Sequence, residues 1–251
     1  MSKKGSYGVD APLVPIGFFA VSLLTVPGVI FILHSNSWSY LLLGFGLSAF
    51  IQALIYMNTT LWGKFRIWED IFDQLSISPD AKILDLGCGR GAVLLMAAKR
   101  LNEHGKAIGV DLWRSIDQSG NNINGTKQNA KAEQVIDKIE LKTADITDLP
   151  FGNNSFDYVT SNLAIHNITG FGKRRKALTE AHRVLKNNGI LVIADMSKTK
   201  QYVPILRSIG MKNVEIKDAG WQGWWAGPWY PTKIITAKKN NKLIEFKSDY
   251  L

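Results

Sequence analysis

The clearest chemical pattern in the chain is ILDLGCGRG, Ile83 to Gly91, in which an acid, Asp85, stands two positions before the first of three glycines, Gly87, Gly89 and Gly91. Glycines placed there permit a tight turn and let the backbone approach a ligand where any Cβ would obstruct it. Such a loop is a weak signal alone. GCGRGA also meets the spacing G-x-G-x-x-A at Gly87, Gly89 and Ala92, which leaves an NAD-dependent oxidoreductase open. Asp85 weighs against that reading, because a carboxylate at this point repels a pyrophosphate. Two further acids follow at the ends of predicted strands. Asp111 closes AIGVD, where its two oxygens can accept hydrogen bonds from both hydroxyls of a ribose, and Asp145 stands in ADITDLPF. Asp often caps turns, but ordered recurrence at the ligand-binding edge of a sheet favours a site.

The series LDLGCGRG, GVD, ADITDLPF, SFDYV and RVLKNNGILVIAD resembles the class I S-adenosylmethionine-dependent methyltransferases, especially the group related to ubiquinone and menaquinone biosynthesis, over about Trp62 to Lys239. The resemblance implies a Rossmann-like α/β fold: seven strands, mostly parallel with the last antiparallel, helices on both faces, and S-adenosyl-L-methionine over the first two strands. It implies that Asp85 and Gly87 face the methionine end, where Asp85 receives the ammonium, and that Cys88, Gly89 and Gly91 complete the loop. Asp111 then meets the ribose, Asp145 the adenine amino group, Leu112 and Ile146 sandwich the adenine, and Asn162 borders the methyl-transfer site.

A sulfonium is already an activated electrophile, so such a protein mainly aligns a nucleophile and excludes water, and no dedicated base is required. His166, in LAIHNI, is the nearby residue whose ordinary pKa suits proton removal near neutral pH; a structural histidine capping the turn is the other reading. Metal chemistry has little support, because His34, His104, His166 and His182 are scattered and Cys88 has no partner cysteine. A silent membrane protein that binds the cofactor as scaffold or sensor stays open, since intact motifs do not report turnover.

Positioning these residues requires an alternating strand and helix pattern, and the chain has one after Pro79. Lys82 to Leu86, Ala107 to Val110, Ile139 to Lys142, Tyr158 to Ser161 and Ile190 to Ala194 read as strands, with helical spacing at Leu94, Ala97, Ala98 and Leu101 and again at Ala177, Ala181 and Val184. The organisation expected is a short basic N-terminus over 1–10, a helical hairpin over 11–57, an amphipathic connecting helix over 58–80, a catalytic domain over 81–240 and a tail over 241–251.

The hairpin rests on length. Ala11 to Leu33 and Trp38 to Met57 carry no charge and each reaches the roughly 20 residues a bilayer needs, separated by only four polar residues. Lys3 and Lys4 before them and Lys64 and Arg66 after them predict that both ends are cytoplasmic. No small-residue cleavage site follows the first apolar run, which argues against a signal peptide. The next stripe, Leu61, Phe65, Trp68, Phe72 and Leu75, reads as one helix face that packs on its own domain more often than on lipid.

A formal charge of +9 favours anionic partners. The basic residues are dispersed and no RNA-binding module is present, so a membrane surface is preferred over nucleic acid. A lone cysteine excludes an intrachain disulfide and suits a reducing compartment. KRRK, Lys173 to Lys176, opens a predicted helix, where cations are disfavoured by the helix dipole unless anionic headgroups offset it. WQGWWAGPWYP, Trp221 to Pro231, suits a membrane interface, stacking on a flat ring, or a packed loop against Trp62 or Trp68. Together these features predict methylation of a lipid or lipid-soluble small molecule at the cytoplasmic face of a membrane.

Overall fold

The computed structural model describes residues 4–32, 38–114 and 118–240. The loop joining the hairpin helices and the tail over 241–251 lie outside the described residues. Seven strands, β1 (Lys82–Leu86), β2 (Lys106–Asp111), β3 (Ile139–Thr143), β4 (Phe156–Asn162), β5 (Leu185–Asp195), β6 (Met211–Asp218) and β7 (Lys233–Lys239), form one sheet in the order β3-β2-β1-β4-β5-β7-β6. The first five pair in parallel, and β7 runs antiparallel between β5 and β6. The expected topology therefore holds, including the antiparallel last strand.

Alternation along each strand sends neighbouring side chains to opposite faces. Ile83, Ala107 and Val192 join a core with α3 (Lys64–Leu75) and α4 (Ala92–Ala98). Leu84, Leu86, Ile108, Val159 and Ile193 join the other, with α6 (Phe171–Val184) and α7 (Thr199–Ser208). A further helix, α5 (Ile123–Ala132), starts at Asn122, whose Oδ1 accepts from the Gly125 N–H at 2.8 Å as an N-cap. Strand order reverses between β1 and β4, and an open sheet of this kind holds its ligand there, beyond the carboxyl ends of the strands.

Two apolar helices precede the sheet, α1 (Leu13–Ile32) and α2 (Trp38–Asn58), packed on each other with Phe19 and Phe50 rings 6.0 Å apart. Leu13, Leu23, Leu24, Leu41, Phe45, Ile51 and Leu54 are all exposed on this pair. Among the described residues one continuous helical run, Ser39–Leu75, is long and apolar enough to cross a membrane, while the described apolar run of α1, Leu13–Thr25, falls short of that length.

From α2 the chain passes through one π-helical turn, Thr59–Gly63, into α3. A Cβ at Gly63 would stand 1.9 Å from the backbone oxygen of Gln222, so this turn seats the aromatic loop only because it carries a glycine. The stripe on α3 packs on its own domain: Ile67, Trp68, Ile71 and Phe72 are buried, with Phe65 and Leu75 half-buried at its margins. Burying each such side chain is worth about 1.5–3 kcal/mol. Lys64, outside the apolar stripe, is buried as well.

The segment before the hairpin is not a loose basic extension. Its backbone N–H groups at Lys4, Gly5 and Ser6 donate to Glu133 and Asn129, on and just after α5, and Tyr7 donates its hydroxyl to Glu133 at 2.7 Å. Val9 exchanges hydrogen bonds with Ser119, and Asp10 reaches the hairpin base. Residues 4–10 are a strap joining α5, the loop before it and the start of the helices.

Candidate functional site

A cavity of about 440 Å³ opens beyond the carboxyl ends of β1, β2 and β4, within the size range of small-molecule sites. Asp85, Gly87, Cys88, Gly89, Asp111, Leu112, Asp145, Ile146, Asn162 and His166 all line it. Gly91 does not: it precedes α4, and a Cβ there would meet Thr126 and Leu95 at 3.0 and 3.1 Å, so its part is packing.

The glycine loop is shaped by hydrogen bonds around β2. Gly87 and Cys88 donate their N–H groups to Val110 O at 2.8 and 3.1 Å, and Gly89 donates to Asp111 Oδ2 at 2.8 Å. At Gly87, φ is +69° and a Cβ would lie 2.3 Å from Cβ of Ala164, so only glycine closes this wall. Cys88 turns its Sγ beneath the loop, 2.7 Å from where a Cβ on Gly109 would stand. Burial pushes its thiol well above the ordinary range, so the side chain is inert packing rather than a reactive group.

Asp85 is buried and accepts from the Thr160 hydroxyl at 2.8 Å. Burial raises its carboxyl to about 7, outweighing that hydrogen bond, and the Asp111 charge adds to the rise. Asp111 accepts from Gly89 through Oδ2 and from the Trp113 N–H at 2.6 Å and Asn121 Nδ2 at 3.3 Å through Oδ1. Asp145 is exposed and accepts from the Thr147 N–H at 2.8 Å, a bond that holds its carboxyl below the usual carboxylate range. Asp111 and Asp145 hold their turns through these bonds and still line the cavity beside Asp85, because a carboxylate has about four lone-pair sites.

The structure fits a nucleoside carrying an amino-acid moiety. A buried acid suits an ammonium, the loop excludes any Cβ, and Asn121 Oδ1 is buried on the cavity wall without a donor among the described residues. Asn162 is held in place from outside the sheet, its Oδ1 accepting from Trp68 Nε1 at 2.9 Å.

His166 sits in a short 3-10 turn after β4, with Nδ1 2.5 Å from Asp195 Oδ1 at the end of β5, a contact outside in-line hydrogen-bond geometry. Asp195 is fully buried and also accepts from the His166 and Met196 N–H groups and the Tyr202 hydroxyl. Asp195 closes the quoted run RVLKNNGILVIAD, yet its pairing with His166, 29 residues away, has no local signal.

Asp10, Tyr56 and Lys64 reach the cavity and escaped the sequence reading; Gln118 and Asn121, from the polar connection after β2, and Trp225, from the aromatic loop, reach it too. Asp10 is the only acid before Glu69, the one hint that this segment carries chemistry. Trp225 is buried, donates to Thr232 and packs edge-on to Tyr56 at 5.0 Å, whereas Trp221, Trp229 and Tyr230 are exposed. The aromatic loop thus serves as wall and as surface. In KRRK, Arg174 is buried and donates to Gln201 and to Ile168 O at 2.7 Å, so it braces the His166 turn, while Lys173 lines the cavity.

The sheet order, the glycine loop after β1 and the acids at the ends of β1 and β2 together define a class I S-adenosylmethionine-dependent methyltransferase domain. The family model described as "Methyltransferase domain" matches residues 77–247, and the chain belongs to that family. It is 30% identical over 179 residues to a demethylmenaquinone methyltransferase of Lactiplantibacillus plantarum, covering 71% of this chain and 64% of that protein. It is 33% identical over 150 residues to a 2-phytyl-1,4-naphtoquinone methyltransferase of Nostoc sp., covering 58% and 62%. The chain spans between half and two thirds of the length of such curated relatives. Among solved structures, geranyl diphosphate C-methyltransferase from Streptomyces coelicolor superposes with a TM-score of 0.55 at 17% identity, covering 68% of this chain and 78% of that one. The [4+2]-cyclase SpnF does so at 0.57 and 16%, covering 70% and 80%. Likeness at that identity establishes the fold and leaves the reaction to the site.

Proposed function

We propose that the protein transfers a methyl group from S-adenosyl-L-methionine to a ring carbon of a quinone-related, lipid-soluble acceptor, at a membrane face that its hairpin holds it against. The observation that carries this reading is the two-part cavity: glycine loop and strand-end acids on one side, and Tyr56, Trp225 and the His166–Asp195 pair on the other. The cofactor supplies the activated methyl. Asp85 holds the ammonium, Asp111 the ribose hydroxyls, and Leu112 and Ile146 flank the adenine beside Asp145. Asn162, fixed by Trp68, borders the methyl. His166 keeps Nδ1 against Asp195, which leaves Nε2 to take a proton from an acceptor hydroxyl. Tyr56 and Trp225 enclose the ring and keep water away.

The membrane part rests on the exposed apolar surface of α1 and α2 and on Trp62, Trp221, Trp229 and Tyr230 exposed beside the hairpin base. Basic residues flanking the hairpin favour the cytoplasmic side for the catalytic domain. The test combines tritiated S-adenosylmethionine with detergent-solubilised protein and reduced naphthoquinones bearing isoprenoid chains. Label in the organic phase, and co-flotation of the protein with anionic vesicles, are expected. Label confined to water-soluble acceptors would overturn the acceptor class, and protein remaining at the bottom of the gradient would overturn the membrane placement.

A further inference from the structure

Asp10, Ala11, Tyr56 and Lys64 line the cavity from outside the 77–247 family match. Lys64 lines it and is 4% exposed, with Nζ 2.8 Å from Asp10 Oδ2. An ammonium has three donors; among the described residues Asp10 is the one oxygen acceptor that Lys64 Nζ reaches, with the face of the Phe65 ring 5.6 Å away. A buried cation left with unused donors is costly unless a ligand completes its shell.

Asp10 is itself pinned. Its Oδ2 also accepts from Thr60 at 2.7 Å, its Oδ1 from Gln118 Nε2 at 3.0 Å, and its carbonyl from the Tyr56 hydroxyl at 2.9 Å. Two of its three side-chain donors, Thr60 and Gln118, are neutral, so the Lys64–Asp10 pair has no net charge, and what Lys64 offers a ligand is its unused N–H donors. Trp68, one helical turn beyond Lys64 on α3, holds Asn162, which sets Lys64 near the carboxyl end of β4. The other charged groups of the cavity belong elsewhere. Asp85 stands one residue before the end of β1, Asp111 ends β2, Arg114 is exposed, and Lys173 acts on Asp145. His166 is engaged by Asp195.

We propose that Lys64, anchored by Asp10, is the acceptor-binding cation of this site and holds an ionised hydroxyl of the methyl acceptor, a phenolate or enolate oxygen. The inference deepens the function proposed above and rests on it for the identity of the acceptor. An aromatic hydroxyl is a poor carbon nucleophile until its proton leaves. A fixed ammonium favours the oxyanion, with the proton passing by way of His166 Nε2 to bulk water, and the Tyr56 and Trp225 rings enclose the rest of the molecule.

The test uses 4-nitrophenol, whose phenolate has its own visible band, with the full chain in detergent saturated with S-adenosylhomocysteine. Bound to the native protein, the probe should ionise about one pH unit lower than free probe, a tenfold preference for the anion. In the double variant Lys64→Met/Asp10→Asn, which removes both charges together, the midpoint should return to that of free probe while S-adenosylhomocysteine affinity and melting temperature stay as in the native protein. Lys64→Arg should keep the lowered midpoint. A native protein that leaves the ionisation of 4-nitrophenol unchanged overturns the proposal whatever the variants do, as does an equal shift in the double variant. Absence of methyl transfer to naphthoquinols would refute the acceptor class without altering this optical signal.

Discussion

Binding of the cofactor product should be coupled to loss of a proton from Asp85. Burial raises that carboxyl from its ordinary 3.8 to about 7, so at pH 7 roughly half of the ligand-free molecules carry the proton. An ammonium in contact favours the carboxylate. S-Adenosylhomocysteine should therefore expel about half a proton per site at pH 7, nearly one at pH 6 and almost none above pH 8. By linkage, affinity should fall up to about tenfold for each pH unit below 7 and level off above it. Titration calorimetry in buffers of different ionisation enthalpy reads the proton directly. Asp85→Asn should abolish the release and weaken binding at pH 8 by about 10- to 150-fold, the value of a charged hydrogen bond of about 1.5–3 kcal/mol. The ligand-free fold should respond with a definite sign. A carboxyl raised on folding contributes its stability fully below 3.8 and loses it as pH climbs through about 7, on the order of 4 kcal/mol in all. The native protein should thus lose stability relative to Asp85→Asn across that window. Equal proton release in the Asn variant, or an affinity in the native protein that ignores pH between 6 and 8, would refute the assignment.

Other outcomes follow from the same geometry. Gly87→Ala should lose at least about 1 kcal/mol from its left-handed backbone alone, more from the contact with Ala164, and should bind S-adenosylhomocysteine weakly, as melts and calorimetry would show. His166→Ala should lower turnover about 10²- to 10⁴-fold with S-adenosylhomocysteine affinity unchanged; full activity in a labelled-methyl assay would make the residue structural. Burial opposes ionisation of Glu133, but Lys99, Gly5, Tyr7 and Lys4 outweigh it and hold the carboxyl down to about 2. Its contribution is present above the ordinary 4.5 and lost as pH falls through about 2, so Glu133→Gln should cost roughly 3 kcal/mol in urea unfolding at pH 7. Trp225→Ala should cost about 3–5 kcal/mol, being 2% exposed between Tyr56 and Thr232.

Much of the cofactor half was legible because its signals are local. A strand, three glycines and an acid two positions earlier lie within nine residues, and the later acids fall at strand ends that hydrophobic runs reveal. Gly91 was misassigned for the same reason: spacing reports the turn, whereas only packing against Thr126 and Leu95 shows which glycine faces the cavity. The two apolar helices were visible in length and composition, but the burial of Lys64 between them and the domain was not, since its neighbour Asp10 lies 54 residues earlier.

Strand period and backbone freedom at glycine act over a few residues, so five strands and the glycine loop could be read directly from the chain, while the full seven-stranded sheet and the chemical class came from the resemblance that the ordered motifs carry. Tertiary structure alone decided the opposite half. It set His166 on Asp195, locked Asn162 to Trp68, split the tryptophans into a wall and a surface, and drew residues 4–10 across to join Lys64. Each of these is a pairing of polar groups far apart in the chain, settled by which buried donors and acceptors the folded sheet and helices bring within reach of one another.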